Sequence, residues 1–392
     1  MNGMSQTNVA ADAAWMPISP VAHAGRRNDG LDVARALAIL LVLFAHFGTP
    51  LFELNIQYTY AFTWLGAAGV NIFFSLSGFL IGRLLLSLAG RGVDGPGILT
   101  FWARRWLRTL PLYYIVLTFM ALYSGMHDIR SYFFLQNFTF GRPQPLVVSW
   151  SLVLEEFFYL FYPLLMLLAT MVAPRRLAGR HSVVGVSVGL IILCNAARWA
   201  VSHWQLPIEW PSMNPFLRLD CCAYGVLAAC AVAAGGERLR VQLRRFAPVI
   251  LPLAALLIVL EIGVVVGLSV PSLVAAMRFD LWHEFWFTID SMFVPAVAAF
   301  AVPTLAAAAP VLARPFGAVV RRLSLLSYAL YLVHTVVMFG LGPMLALRMD
   351  KLSATAVMLG TSVLIAWGLN HAVERPFLRL RDRFVPDRRR VA

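Results

Sequence analysis

The sequence predicts an all-α, polytopic integral membrane protein with about ten transmembrane helices. Three observations predict it. Hydrophobic residues make up 60% of the 392 and charged residues only 13%, more apolar surface than a soluble chain of this length can hide in one core. The apolar residues fall in runs of roughly 20, the length that crosses a bilayer as a helix. Arginines cluster between the runs, dense in every second connection and sparse in the others, as membrane topology requires.

The formal net charge of +13 would suit nucleic acid if it lay along one polar face. Broken into short clusters between apolar runs, it points away from nucleic acid and toward retention at a membrane surface. Residues 1–29 are polar and small, with no apolar stretch followed by a small-residue cleavage site. They read as a disordered cytoplasmic tail, and no cleaved signal peptide is expected.

The spans follow in order at 31–51, 62–89, 108–125, 147–172, 182–201, 214–234, 247–268, 288–309, 324–346 and 353–373. The second includes an interfacial portion. Asn195 and Arg198 interrupt the fifth, and Arg218 and Asp220 interrupt the sixth. One set of connections holds Arg26 and Arg27, then Arg91, Arg104, Arg105 and Arg108, with further clusters around Arg175, Arg238 and Arg321 and in the tail from Arg375. The opposite set holds Arg130, Arg142, Arg278, Arg348 and Lys351. Both termini are therefore expected in the cytoplasm, which requires an even number of spans. No internal repeat is detectable, so residues 30–377 read as one membrane domain and 378–392 as a basic cytoplasmic tail. Cys194, Cys221, Cys222 and Cys230 all lie in apolar runs without metal-knuckle or disulfide spacing, and are expected to pack; no metal is expected.

Ionisable residues at membrane depth are costly unless paired or wet, which makes each a functional candidate. Arg35 and His46 are eleven positions apart in the first span, so they share one helix face about 16 Å apart along the axis. That separation is comparable with an extended pantetheine arm. The fourth span enters from the other side and carries Glu155 and Glu156 at a depth similar to His46. A carboxylate orienting an imidazole whose free nitrogen takes a proton is the minimal general-base arrangement. Adjacent residues point about 100° apart, so one glutamate is expected to face inward, and Glu155 is the choice. The bland readings are a packing histidine, and glutamates paired with Arg198 or Arg218 to hold helices together.

Arg104, Arg105 and Arg108 stand at the start of a helix on the cytoplasmic face, where they serve either phosphate binding or simple retention. Tyr113 and Tyr114 suit an interfacial belt. Gly69, Ser75, Ser77, Gly78 and Gly82 suit close helix packing. His334 is expected to be a satisfied packing histidine, while Glu374 and Arg375 before Pro376 suit a terminal ion pair and a helix stop.

Taken in order, these segments resemble the membrane-bound acyltransferase-3 family, which includes O-antigen and exopolysaccharide O-acetyltransferases. The resemblance rests on Asp32, Arg35 and His46; on Phe73, Phe74, Leu76, Ser77, Gly78, Phe79, Leu80 and Ile81; on Phe101, Trp102, Arg104, Arg105, Arg108, Pro111, Tyr113 and Tyr114; and on Trp150, Ser151, Leu152, Glu155, Glu156, Phe158, Tyr159 and Leu160. Weaker echoes are Arg218, Asp220 and Gly225, then Ser327, Tyr328, Tyr331, Leu332 and His334, then Glu374, Arg375 and Pro376. It spans residues 30–377.

The resemblance implies His46 as the essential histidine, with Arg35 and the Arg104/Arg105/Arg108 group as CoA-binding or structural. It implies acetyl-CoA as donor, a glycan hydroxyl as acceptor and a bacterial plasma (inner) membrane setting. Glu155 and Glu156 are expected to join His46 in catalysis, and Trp150, Tyr159 and Asp32 to contact substrate. Whether the acyl group passes directly or through an acyl-enzyme stays open, as does the oligomeric state. Asn71 departs from the Asp that many relatives carry there. Some relatives add a periplasmic SGNH hydrolase-like domain; this chain ends soon after its last span, so a handover of that kind is expected to need a separate protein.

A proton-coupled transporter is the competing reading, since intramembrane His, Glu and Arg suit a carrier, but no inverted repeat supports it. A partner-binding membrane subunit leaves the Arg35/His46 stripe unexplained. For the acceptor, a surface or secreted polysaccharide is the first choice. The outer segments 126–146 and 202–216, with Trp204 and Trp210, are candidates for stacking on sugar rings, or for interfacial anchoring.

Overall fold

The computed structural model describes residues 28–52, 56–139, 144–172, 179–204, 206, 213–268, 279–312 and 317–385. Trp210 and Arg142 lie outside them. Within them the chain is helical, in the order α1 (Asp29–Leu51), α2 (Ile56–Arg91), α3 (Gly95–Ser124), α4 (Trp150–Val172), α5 (Arg180–His203), α6 (Asp220–Leu268), α7 (Phe279–Leu312), α8 (Gly317–Ala346), α9 (Lys351–Leu369) and α10 (Arg375–Phe384). Short helical turns at Ile129–Tyr132, Gln136–Thr139, Val147–Ser149 and Pro215–Leu217 fill the connections.

Local chemistry sets the ends. Asn28 caps α1 by accepting from the amides of Gly30 and Leu31 at 3.0 and 3.1 Å, and Asp94 caps α3 by accepting from Gly97 at 2.9 Å. Gly125 closes α3 in the left-handed conformation, φ 69°. Each cap supplies an acceptor for amides that the first turn leaves without partners.

Nine helices among the described residues are long and apolar enough to cross a membrane. At 49 residues, α6 is too long for one crossing, and its backbone breaks at Gly236, φ 54°. Its two arms carry the predicted stretches 214–234 and 247–268. The faces on which the other helices begin and end agree with two passes by α6. Asn28 donates to the carbonyl of Ala306 near the end of α7 (3.1 Å), and Asp29 pairs with Arg321 at the start of α8 (3.9 Å). Tyr328 of α8 donates to the Thr109 carbonyl of α3 (2.8 Å), and Arg104 of α3 binds Asp382 of α10 (3.2 Å) and the Val385 carbonyl. The described amino-terminal end and α10 therefore share one face, which bears most of the arginines.

The α2–α6 contact is backbone on backbone. A Cβ on Gly78 would stand 1.9 Å from the Cys222 carbonyl oxygen, and one on Gly225 would stand 2.0 Å from that of Ser75. Small residues let membrane helices approach this closely, which accounts for the glycine-rich run of the second span. Gly225→Leu is expected to destabilise the protein at or beyond the upper end of the roughly 1–3 kcal/mol typical of overpacking. Thermal unfolding in detergent checks this against Gly185→Leu, whose added carbon meets open space. Equal stability of the two variants would sink the packing argument.

Two expectations need correcting. Tyr113 is buried and its hydroxyl donates to the Ser131 carbonyl at 2.7 Å, while Tyr114 reaches that of Tyr132 at 3.0 Å; the pair pins the segment after α3 to the bundle and is not a membrane belt. Glu374 and Arg375 form no ion pair with each other. Both bind Asn370, Glu374 accepting from its amide nitrogen and Arg375 donating to its amide oxygen at 3.2 Å. They lie at a wide π-type turn, Asn370–Glu374, and Pro376 starts α10 instead of ending a helix.

Candidate active site

Helix α1 carries the first components. Asp32 is fully buried; its carboxylate accepts from Ser324 of α8 at 2.7 Å and pairs with Arg35 at 3.2 Å. Asp32 thus fixes the Arg35 guanidinium and joins α1 to α8 at the arginine-rich face.

Eleven residues along α1, the Nδ1 atom of His46 lies 2.9 Å from the carbonyl oxygen of Val42. A carbonyl can only accept, so Nδ1 carries the proton and Nε2 is left as a lone pair. No ion pair or hydrogen bond joins His46 to Glu155 or Glu156 among the described residues. The carboxylate orienter expected from the sequence is replaced by the helix's own backbone.

Against His46 stands His334 of α8, with ring centroids 4.9 Å apart and planes at 71°. His334 is fully buried. Its Nδ1 lies 3.0 Å from the Leu330 carbonyl, and its Nε2 has no hydrogen-bond partner. It is therefore not the satisfied packing histidine expected. Tyr331, one turn earlier, hydrogen-bonds Ser151 of α4 at 2.7 Å and donates to Val148 at 3.0 Å, tying α8 to the outer end of α4. The sequence carried a signal for His334, an ionisable residue mid-span, but not its neighbour.

Glu155 and Glu156 belong to a second cluster. Glu155 accepts from Ser77 of α2 (2.7 Å), from the Tyr159 hydroxyl (3.0 Å) and from Arg105 (3.3 Å). The Arg105 guanidinium lies 4.0 Å over the Tyr159 ring and donates to its hydroxyl at 2.5 Å. Trp102 donates to the Tyr159 carbonyl at 2.9 Å. Glu155 faces inward as expected, but so does Glu156, the more buried of the two, which accepts from Thr109 at 3.1 Å. Neither pairs with Arg198 or Arg218. Arg198 instead grips Asp220 with two bonds, 2.9 and 2.6 Å, and Arg218 donates to Asn71 at 2.7 Å. Asn71 thus serves as a neutral acceptor for a buried arginine. Trp150, expected at a substrate, packs edge-on against Phe74 with centroids 6.4 Å apart.

The three arginines of α3 divide their work. Arg104 is committed to α10, so the phosphate role expected of it is not supported by its contacts. Arg105 is committed to Glu155 and Tyr159. Arg108 is exposed and feels the charges of Arg105, Arg35, Arg381 and Glu374. Three of those four neighbours are cations, and such a concentration favours an incoming polyanion.

The sequence profile of an acyltransferase domain, of the acyltransferase-3 type, matches residues 28–371. YrhL of Bacillus subtilis is 30% identical over 232 residues, covering 53% of this chain and 33% of its own length. The peptidoglycan O-acetyltransferase OatA of Listeria monocytogenes is 29% identical over 232 residues, covering 52% and 33%. The O-acetyltransferase OatA of Staphylococcus aureus is 32% identical over 196 residues, covering 44% and 30%. The match thus spans about a third of the length of these curated relatives. No solved structure is similar to the chain.

Proposed function

The chain belongs to the acyltransferase-3 family, and from that premise we propose that it transfers an acetyl group from acetyl-CoA to a hydroxyl of a glycan outside the cytoplasm. The observation that carries the reading is His46: its tautomer is fixed by Val42, its Nε2 is a free lone pair, and it lies on the same helix as Arg35 of the basic face. The arginine-rich face is cytoplasmic, in keeping with retention of positive charge, and the membrane is the bacterial plasma membrane.

The donor's phosphates meet Arg108 and Arg35, with the pantetheine arm running along α1 so that the thioester reaches His46. His46 Nε2 takes the proton of the acceptor hydroxyl as the oxygen attacks the acyl carbon. The carbon–sulfur bond then breaks, and the CoA thiolate leaves with the proton that His46 returns. Glu155 contributes through Arg105, whose position it sets together with Tyr159. Glu156 is held against Thr109 on the same side of the bundle. The relatives' names favour a cell-wall or surface glycan as acceptor.

Membranes carrying the protein, given radiolabelled acetyl-CoA and an extracellular glycan acceptor, are expected to accumulate base-labile acetyl ester on the glycan. Absence of that ester with every acyl-CoA tried would overturn the reading. Arg108→Ala is expected to raise the KM for acetyl-CoA by about 10-fold or more, the value of one lost charge-assisted contact to phosphate, and to leave the acceptor KM unchanged. An equal rise in both would argue against a donor site at Arg108.

A further inference from the structure

His334 is used by nothing in the reaction above, yet its environment is difficult to explain as packing alone. A buried acceptor without a donor costs on the order of 1–3 kcal/mol, and buried polar groups are otherwise nearly always paired. Here the acceptor is Nε2, left bare because Nδ1–H is given to Leu330 of the same helix. A phenylalanine or leucine would fill the space between α1 and α8 without that penalty. The chain instead sets a buried imidazole with an unpartnered Nε2 edge to face with His46, ring centroids 4.9 Å apart and planes at 71°.

We propose that His334 is a positioning residue for His46, holding its ring edge-to-face and supplying lone-pair density beside the positive charge that His46 gains when it accepts the hydroxyl proton. This rests on His46 being the base. His334 is fully buried, so an electron-rich atom held there by the helix needs no reorganisation as the charge forms and lowers the cost of forming it. Both imidazoles keep Nδ1–H on their own helices, which leaves both Nε2 atoms as acceptors; one proton enters the pair at His46 and leaves with the thiolate. Tyr331 holds the α8 turn that carries His334 through its bonds to Ser151 and Val148.

The test separates shape from the lone pair. His334→Phe keeps the aromatic ring and discards the acceptor, whereas His334→Gln keeps a side-chain acceptor of similar reach. Acetyl transfer is measured for both in purified membranes, alongside wild type and His46→Ala, with kcat and both KM values resolved and thermal stability recorded. The expected result is a fall in kcat of roughly 10- to 100-fold for His334→Phe, with both KM values and stability unchanged, and recovery of most of that loss in His334→Gln. Wild-type turnover in His334→Phe, with His46→Ala inactive, would overturn the proposal while leaving the function intact. Equal losses in both variants with lowered melting temperature would also overturn it, making His334 structural. Full transfer by His46→Ala would remove the base itself, and with it the premise for His334.

Discussion

Replacing His46 with alanine is expected to lower acetyl transfer by roughly 10²- to 10⁴-fold, the span usual for a positioned general base. The substitution removes the Nε2 lone pair while disturbing little of the fold, because the ring's other nitrogen bonds to Val42 of its own helix and does not tie two helices together. Expression and melting temperature should therefore match wild type. Asn is the instructive second variant, since its amide can reproduce the Nδ1 donor to Val42 but offers no basic nitrogen. It should be well folded and as inactive as Ala. Retention of wild-type transfer by either variant would show that the proton goes elsewhere.

The largest expected effect on stability comes from the buried ion pair that joins α5 to α6. Arg198 and Asp220 are 2% and 0% exposed and are held by two charge-assisted bonds, so Arg198→Met strands a carboxylate in the bundle interior. Arg218, the nearest alternative cation in sequence, is already bonded to Asn71. Breaking one partner of a buried pair typically costs about 3–5 kcal/mol, whereas replacing both with apolar residues is often neutral. Arg198→Met is accordingly expected to be poorly folded in detergent, and Arg198→Met with Asp220→Leu to regain most of the lost stability. A single variant as stable as wild type would show that water or another cation reaches Asp220.

Much of the architecture was legible because the bilayer imposes one length and one polarity on every crossing. The ten apolar stretches correspond to the helices seen, α6 supplying two of them, although α3 starts thirteen residues before the predicted 108 because its first turns are amphipathic. The intramembrane charges were legible as important, but their partners were not. Helical phase put Arg35 and His46 on one stripe, yet no spacing rule linked Arg198 to Asp220, or Arg105 to Glu155 and Tyr159, because those contacts depend on which helices are neighbours. The expected His46–carboxylate pair failed for the same reason: similar depth is not adjacency. His334 was undervalued because an imidazole on an apolar helix usually packs, and only the three-dimensional arrangement shows which one meets another imidazole.

The bonds of His46 and His334 to carbonyls four residues back have a consequence for diversification. In an α-helix each of those oxygens already accepts the backbone amide of the same histidine, so ring and backbone share one acceptor. The Nδ1–H of each histidine is thus held by helix geometry alone, and no neighbouring side chain is needed to keep that tautomer. Substitutions in the connections between helices can therefore accumulate without changing which ring nitrogen of His46 or His334 carries its proton.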